Sequence, residues 1–465
     1  MLNASLRRSS GSLIMTIPHI LLAFMCMHSA WGDDATFATY QECITEPVFQ
    51  GRVCTVQANR TAEVGVLLIH GLSGSTDDWK KTIPALAGNF HVVAFDLPGF
   101  GKSDKGSQSY SPTRYAHLVK YLADHYLQNK PYHVVGHSMG GAIALRYAAQ
   151  RPLRMQRLVL VDAAGILHPQ VITKFQAGSL AVSTSGVHQT RGLIERWSGK
   201  LLEQAERLPV SGIDIANAAM GRDLVLQGGP EKIAALQLAG EDFSSAISSV
   251  TAPTLVLWGE HDLIAPLRTG KVLAARMQRA RLEIISDAAH EPMLDQPQRL
   301  NTLLRNHLLA TEQGLADSYL QAPPLTPFAS ERIGSCSGTS GNIFEGDYLT
   351  IELRDCSNII IRNARVGQLN VINSNLSVID SDIIGQNVGL TADNADITIT
   401  NGEVSGVTAI SALNSRLDLA GVRLQATKAV VKGVNSKLVF SVSRVQSPRT
   451  SGYLHTYKNM TNEEL

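Results

Sequence analysis

Gly136-His137-Ser138-Met139-Gly140 has the residue types for nucleophilic chemistry. This G-x-S-x-G stretch lies between a β-branched apolar run, Tyr132–Val135, and a helical pattern, Gly141–Gln150. A strand–turn–helix at that point lifts a serine hydroxyl above a sheet edge. The glycines leave room where the sharp turn brings backbone segments together. A serine attacks a carbonyl only when a base takes its proton. His290, in Ser286-Asp287-Ala288-Ala289-His290-Glu291-Pro292, follows a run ending at Ile285 and is the expected base. Asp262, in Trp258-Gly259-Glu260-His261-Asp262, follows a run ending at Trp258 and is the expected acid that orients it. The chain order Ser138, Asp262, His290 fits three groups gathered at successive strand ends. A rival acid, Asp162, closes the run Leu158–Val161. Glu260 and His261 are read as shaping the loop.

The negative charge formed on attack needs backbone donors. His70-Gly71-Leu72-Ser73-Gly74 follows the first strong apolar run, and the N–H groups of Leu72 and Met139 are the expected oxyanion donors. Each such donor is worth about 2.7–4 kcal/mol in the transition state. His70 is read as a packed, loop-fixing histidine. This chemistry calls for no metal and no organic cofactor.

These residues need a scaffold. Val64–Ile69, His91–Phe95, Tyr132–Val135, Leu158–Val161, Thr254–Trp258 and Leu282–Ile285 are short, almost continuously apolar runs. They read as strands covered on both faces of a parallel sheet. Helical patterns such as Ala142–Gln150 and Gly270–Gln278 separate them, which predicts an α/β fold with right-handed crossovers. From about residue 165 to 250 the strand signal gives way to helical spacing, with Leu193, Ile194, Trp197, Leu201 and Leu202 as apolar positions. This stretch is read as a cap over the open end of the sheet.

His70-Gly71, Asp96-Leu97-Pro98-Gly99-Phe100-Gly101-Lys102-Ser103-Asp104, Gly136–Gly140, Gly259-Glu260-His261-Asp262 and Ala289-His290 together resemble the α/β-hydrolase family over residues 63–310. The resemblance implies an eight-stranded, mostly parallel sheet, a cap after the sixth strand and a Ser–His–Asp triad. It places the Asp96–Asp104 loop near the active-site entrance, without a chemical role. A serine nucleophile argues against the dehalogenase and epoxide-hydrolase branches, which use Asp. Similarity to bacterial monoacylglycerol- and triacylglycerol-lipase-like hydrolases favours a small-molecule or lipid ester as substrate. Related sequences cleave C–C bonds, lactones or amides, or act as perhydrolases, and these remain alternatives.

The 465 residues carry 41 basic and 40 acidic side chains, a formal charge of +1 that gives no electrostatic case for nucleic acid. Hydrophobic residues make up 44 %, enough for a large core. Arg7 and Arg8, the apolar stretch Leu13–Met27 and the small residues Ala30 and Gly32 form a signal-peptide pattern, with cleavage expected after Gly32. No apolar run reaches the length of a membrane span. Cys43, Cys54, Cys336 and Cys356 fall as two local pairs, which an oxidising compartment would close as disulfides Cys43–Cys54 and Cys336–Cys356. The expected location is periplasmic or secreted.

Beyond a Pro-containing linker the character changes. Leu376, Ile397, Leu417 and Leu438 are 21, 20 and 21 residues apart, each after an Asn- or Asp-bearing corner and before an alternating run. That period predicts a right-handed parallel β-helix-like repeat, with Asn358–Ile361 as a shorter first turn. A β-sandwich with regular strands is the alternative. The resulting division is signal peptide 1–32, hydrolase domain 33–312, linker 313–335, repeat domain 336–447 and C-terminal tail 448–465. The repeat domain is read either as a docking module for a cell envelope or polysaccharide, or as a stabilising appendage.

Overall fold

A computed structural model describes residues 38–171, 212–319 and 330–465. The expected signal peptide, residues 172–211 of the expected cap (with Leu193 to Leu202) and residues 320–329 of the expected linker lie outside them.

The first sheet has eight strands: β1 (Thr39–Glu46), β2 (Gly51–Ala58), β3 (Gly65–Ile69), β4 (His91–Phe95), β5 (Tyr132–His137), β6 (Met155–Val161), β7 (Thr254–Gly259) and β8 (Ala280–Ile285). Their order is β1-β2-β4-β3-β5-β6-β7-β8. Only β1–β2 and β2–β4 pair antiparallel. The parallel strands β3, β4, β5 and β7 are buried along their whole length. Alternate side chains serve opposite layers. Leu67, Ile69, Val93 and Val134 join one core, and Val66, Leu68, Val92 and Val135 the other.

Helices α1 (Thr82–Ala87), α2 (Pro112–Leu127) and α3 (Met139–Ala148) cover the sheet. Ser111 caps α2 by accepting the Arg114 N–H at 3.2 Å, with Pro112 at the first helical position. Tyr115, Leu118, Val119 and Leu122 form its buried stripe. Between β6 and β7 no described residue joins the sheet. The described part of this insertion holds helices Gly212–Asn217, Pro230–Ala239 and Ser244–Ser249. Buried Gln237 ties it to the body, accepting the Tyr110 N–H at 2.6 Å and donating to Ser109 Oγ at 2.9 Å.

β5, which leads to Ser138, carries the buried His133. Burial, with Arg157 nearby, holds this imidazole neutral and lowers its pKa to about 3. Below pH 6.5 the unfolded chain binds a proton there that the folded chain refuses, so stability falls as pH drops from about 6.5 towards 3. The loss at pH 5 is about 2 kcal/mol. Guanidinium unfolding at pH 7 and pH 5 should therefore show the gap between wild type and His133→Leu shifting by about that amount in favour of the variant. A gap that does not move with pH would show that the histidine is not held neutral.

Residues beyond 330 form a second, all-β body. Its strands are β9 (Ile333–Ser337), β10 (Ile343–Arg354), β11 (Ile359–Ile372), β12 (Asn375–Ile379), β13 (Asp382–Ile384), β14 (Val388–Asp393), β15 (Asp396–Thr400), β16 (Glu403–Leu413), β17 (Arg416–Ala420), β18 (Arg423–Gln446) and β19 (Ser451–Glu464). β12, β15, β17 and β18 stack in parallel, with Leu376, Ile397, Leu417 and Leu438 in one register row. Ile359 precedes Leu376 in that row, so Asn358–Ile361 is a coil of the same stack. The stack starts earlier than the spacing indicates, at β9 and β10. Residues 451–464, read as tail from sequence, form β19 antiparallel to β18. Residues 312–318, at the start of the expected linker, are helical.

The coils turn at Asp355 and then at four asparagines. Asn373, Asn394, Asn414 and Asn435 sit at φ between 46° and 48°, in the left-handed region that asparagine tolerates. Their side chains ladder: Asn394 Nδ2 donates to Asn373 Oδ1 at 3.0 Å and Asn435 Nδ2 to Asn414 Oδ1 at 2.8 Å. Inside, Leu376, Val378, Ile397, Ile399, Leu417, Leu419, Leu438 and Phe440 fill a common core. Disulfides join Cys43 to Cys54 across the β1–β2 hairpin and Cys336 to Cys356 in the repeat. Loops of this length make each worth roughly 3 kcal/mol.

The repeat body packs on the hydrolase body. Ala420, Val439 and Val442 belong to the same core as hydrolase residues such as Val272 and Leu273. The second corner row runs Asp380, Asn401, Gly421, Val442, all at positive φ. The hydrolase covers the row from Asn401, whose Nδ2 donates to Lys271 O at 3.3 Å, and the next two corners are the apolar Gly421 and Val442. A Cβ on Gly421 would lie 3.1 Å from Val272. Val442 at φ 50° is a β-branched residue in a costly conformation, about 1–3 kcal/mol, set against complete burial of its side chain.

Candidate active site

β5 ends at His137 and α3 starts at Met139, so Ser138 is the whole turn between them. Its backbone is held at φ 53° and ψ −120°. The surroundings enforce this strain. Ser138 N–H donates to Val161 O at 2.9 Å, and Ser138 O accepts from Gly141 N at 2.9 Å and Ala164 N at 3.2 Å. A Cβ on Gly136 would run into the Gly140 carbonyl, and one on Gly140 into the carbonyls of Ile69 and His70. Only glycine allows this approach.

The structure brings the three expected side chains together. His290 Nε2 lies 2.9 Å from Ser138 Oγ, and His290 Nδ1 lies 2.8 Å from Asp262 Oδ2. Asp262 Oδ1 accepts the N–H groups of Ile264 at 2.7 Å and Ala265 at 3.0 Å. With Nδ1 donating to the carboxylate, the Nε2 lone pair faces the serine hydroxyl. This is the tautomer a general base requires. Burial works to raise the Asp262 pKa, but the adjacent His290 and the two N–H donors outweigh it and hold it below the usual value.

The rival acid is close but differently placed. Asp162 is fully buried, and its Oδ1 accepts the Gly259 N–H at 2.8 Å. Burial first, then the neighbouring Asp262, push its pKa well above the ordinary carboxylate value. Asp162, Asp262 and His290 each offer an atom within 4.8 Å of the others, the one such group among the described residues that could hold a metal. Asp262 and His290 spend these atoms on each other.

His137 is a neighbour that the motif alone does not flag. Its Nε2–H donates to the His290 carbonyl at 2.7 Å. Burial, with His290 adjacent, lowers its pKa to about 3, so it stays neutral and acts as an anchor for the base loop. His70 fixes the opposite loop. Its Nδ1–H donates to Gly71 O at 2.7 Å, and its Nε2 accepts the Leu97 N–H at 2.9 Å. A Cβ on Gly71 would sit 3.0 Å from Ser138 Cβ, so the loop that continues to Leu72 lies against the serine. Met139 opens α3, where an N–H has no intrahelical acceptor. Asp96 organises its own turn, accepting from Thr76 N and Lys102 N, each at 2.7 Å. The exposed Glu260 and His261 bond through their backbones to Ile285 O and Ala288 O, which draws the Asp262 and His290 loops together.

Residues 65–297, half of the chain, match the family described as alpha/beta hydrolase fold. A monoacylglycerol lipase of Xenopus laevis, abhd6-B, is 27 % identical over 253 residues, covering 52 % of this chain and 74 % of that protein. An uncharacterized protein of Mycobacterium tuberculosis H37Rv is 28 % identical over 264 residues, covering 53 % and 76 %. A solved structure described as a putative lipase of Acinetobacter baumannii is 26 % identical with a TM-score of 0.44, covering 58 % of this chain and 91 % of that one. With its sheet order, its serine turn and this match, the chain belongs to the α/β-hydrolase family.

Proposed function

We propose that the chain is an exported serine hydrolase of carboxylic esters, with lipid or acylglycerol esters as the favoured class. The observation that carries this reading is the unbroken chain of hydrogen bonds from Ser138 through His290 to Asp262. Ser138 Oγ attacks the acyl carbon as its proton passes to His290 Nε2. His290 returns that proton to the leaving alkoxide, and an acyl-enzyme remains. Water then attacks the ester, giving its proton to His290, which passes it to the departing serine oxygen. Asp262 holds the imidazole and offsets its charge. The N–H groups of Leu72 and Met139 receive the oxyanion.

The name of the Xenopus relative favours an acylglycerol or similar lipid ester. The two disulfides favour an oxidising compartment, periplasmic or extracellular. Among the described residues no helix is long and apolar enough to cross a membrane. The test is labelling with a fluorophosphonate followed by peptide mapping, paired with turnover of p-nitrophenyl esters of several chain lengths. The label is expected on Ser138 and turnover across the series. A label on any other residue overturns the assignment. A label on Ser138 with no ester turnover moves the reading to C–C, lactone, amide or perhydrolase chemistry.

A further inference from the structure

We propose that Asp162 is a positioning residue: its carboxyl carries a proton and donates it in a hydrogen bond to the Asp262 carboxylate. The proposal rests on the reading of Ser138, His290 and Asp262 given above, and names a fourth side chain that acts through the third.

Asp162 and Asp262 are both buried and bring carboxyl oxygens within 4.8 Å of each other, so they cannot both ionise without a large penalty. Their partners decide which one does. Asp262 has His290 Nδ1–H on one oxygen and two backbone N–H groups on the other. Asp162 has a single N–H, from Gly259. The charge therefore settles on Asp262 and the proton on Asp162. A neutral carboxyl has an O–H that must find an acceptor when buried. Asp162 Oδ2 is buried and has no N–H or other donor, the state expected of the oxygen that carries the proton. Asp262 Oδ2 receives one bond from His290 and has capacity for another. The raised pKa of Asp162 agrees, with burial as its main cause and Asp262 and Asp295 as the acidic neighbours that add to it. His290 faces Asp262 from the other side, and His137 next to it is neutral.

The arrangement has a chemical consequence. A hydrogen bond to Asp262 fixes its carboxylate plane and draws off part of its charge. The imidazolium formed on proton transfer then faces a carboxylate of fixed orientation and reduced charge.

The direct test is the infrared spectrum of the full chain at pH 8. The wild type is expected to show the C=O stretch of a protonated carboxyl, sensitive to deuteration and lost in Asp162→Asn. Asp162→Asn keeps an oxygen for Gly259 and an N–H for Asp262, so its kcat/KM should stay within about threefold of wild type. Asp162→Ala removes the donor. It should lower kcat by tenfold or more, a loss that Asp162→Asn does not share. A wild-type spectrum without that band, or an Asp162→Asn enzyme as impaired as Asp162→Ala, would overturn the proposal. The spectrum needs no turnover, so it stands even if Ser138 proves not to be the nucleophile, and it needs no alanine variant to fold.

Discussion

Alanine at position 138 is expected to lower kcat for a p-nitrophenyl ester by about a millionfold, and His290→Ala by a similar factor. In the proposed mechanism the two groups act as one unit. Without the hydroxyl there is nothing for the imidazole to deprotonate, and without the imidazole the hydroxyl keeps its proton. The double variant should therefore be no slower than either single one. Asp262→Asn should cost about ten-thousandfold. Its amide would donate to Nδ1 and force the ring proton onto Nε2, opposite the serine hydroxyl. Residual turnover of about 10³–10⁴ over water should survive in each, because oxyanion donors and binding remain. Ser138→Ala removes a single oxygen and leaves the backbone of the turn in place, so its unfolding free energy should stay within about 1.5 kcal/mol of wild type. Steady-state kinetics with the unfolding curve checks both halves. An alanine variant that keeps a tenth of the activity would remove Ser138 from the reaction.

The reach of the sequence differs between elements for physical reasons. Strand β4 coincides with the apolar run His91–Phe95, because a strand covered on both faces has to be apolar throughout. The rows of the repeat body equal the spacing of Leu376, Ile397, Leu417 and Leu438, because stacking pairs equivalent residues. The hairpin β1–β2 escapes notice because β1 is an edge strand with a mostly exposed polar sequence. β19 escapes for the same reason: backbone pairing with β18 holds a largely exposed strand. The convergence of Ser138, Asp262 and His290 is legible because each follows a strand of its own. The contacts of His137 and Asp162 are not. His137 bonds to a carbonyl, which every residue has, and Asp162 meets Asp262 only because β6 pairs with β7.

Arg268→Ala is expected to destabilise the full chain by about 3–5 kcal/mol, the cost of stranding one member of a buried ion pair. Arg268 stands at the start of the helix Leu267–Arg276, directly after the loop that carries Asp262. Its guanidinium crosses into the repeat body, where Nη1 meets Asp418 Oδ2 at 2.7 Å, Nε donates to Thr400 Oγ1 at 2.7 Å and Nη2 donates to Ile399 O at 2.6 Å. The two side chains are only 15 % and 7 % exposed, so salt should weaken the pair little. Alanine would leave the Asp418 carboxylate buried without its counter-charge. Arg268→Met combined with Asp418→Leu should recover most of the loss, because a buried ion pair contributes little beyond an apolar pair of similar size. Guanidinium unfolding of wild type, single and double variants checks this, and an Arg268→Ala midpoint equal to wild type would mean the seam does not hold the bodies together. Cutting the chain before residue 331 should cost more than Arg268→Ala, since it also strips Ala420, Val439 and Val442 from a core that includes Val272 and Leu273. A docking role for the repeat body is therefore better tested by changing exposed side chains away from the corners, such as Arg354 and Lys437, than by deleting the body. Retention changes in such variants would report on the surface, without the loss of hydrolase stability that a truncation carries.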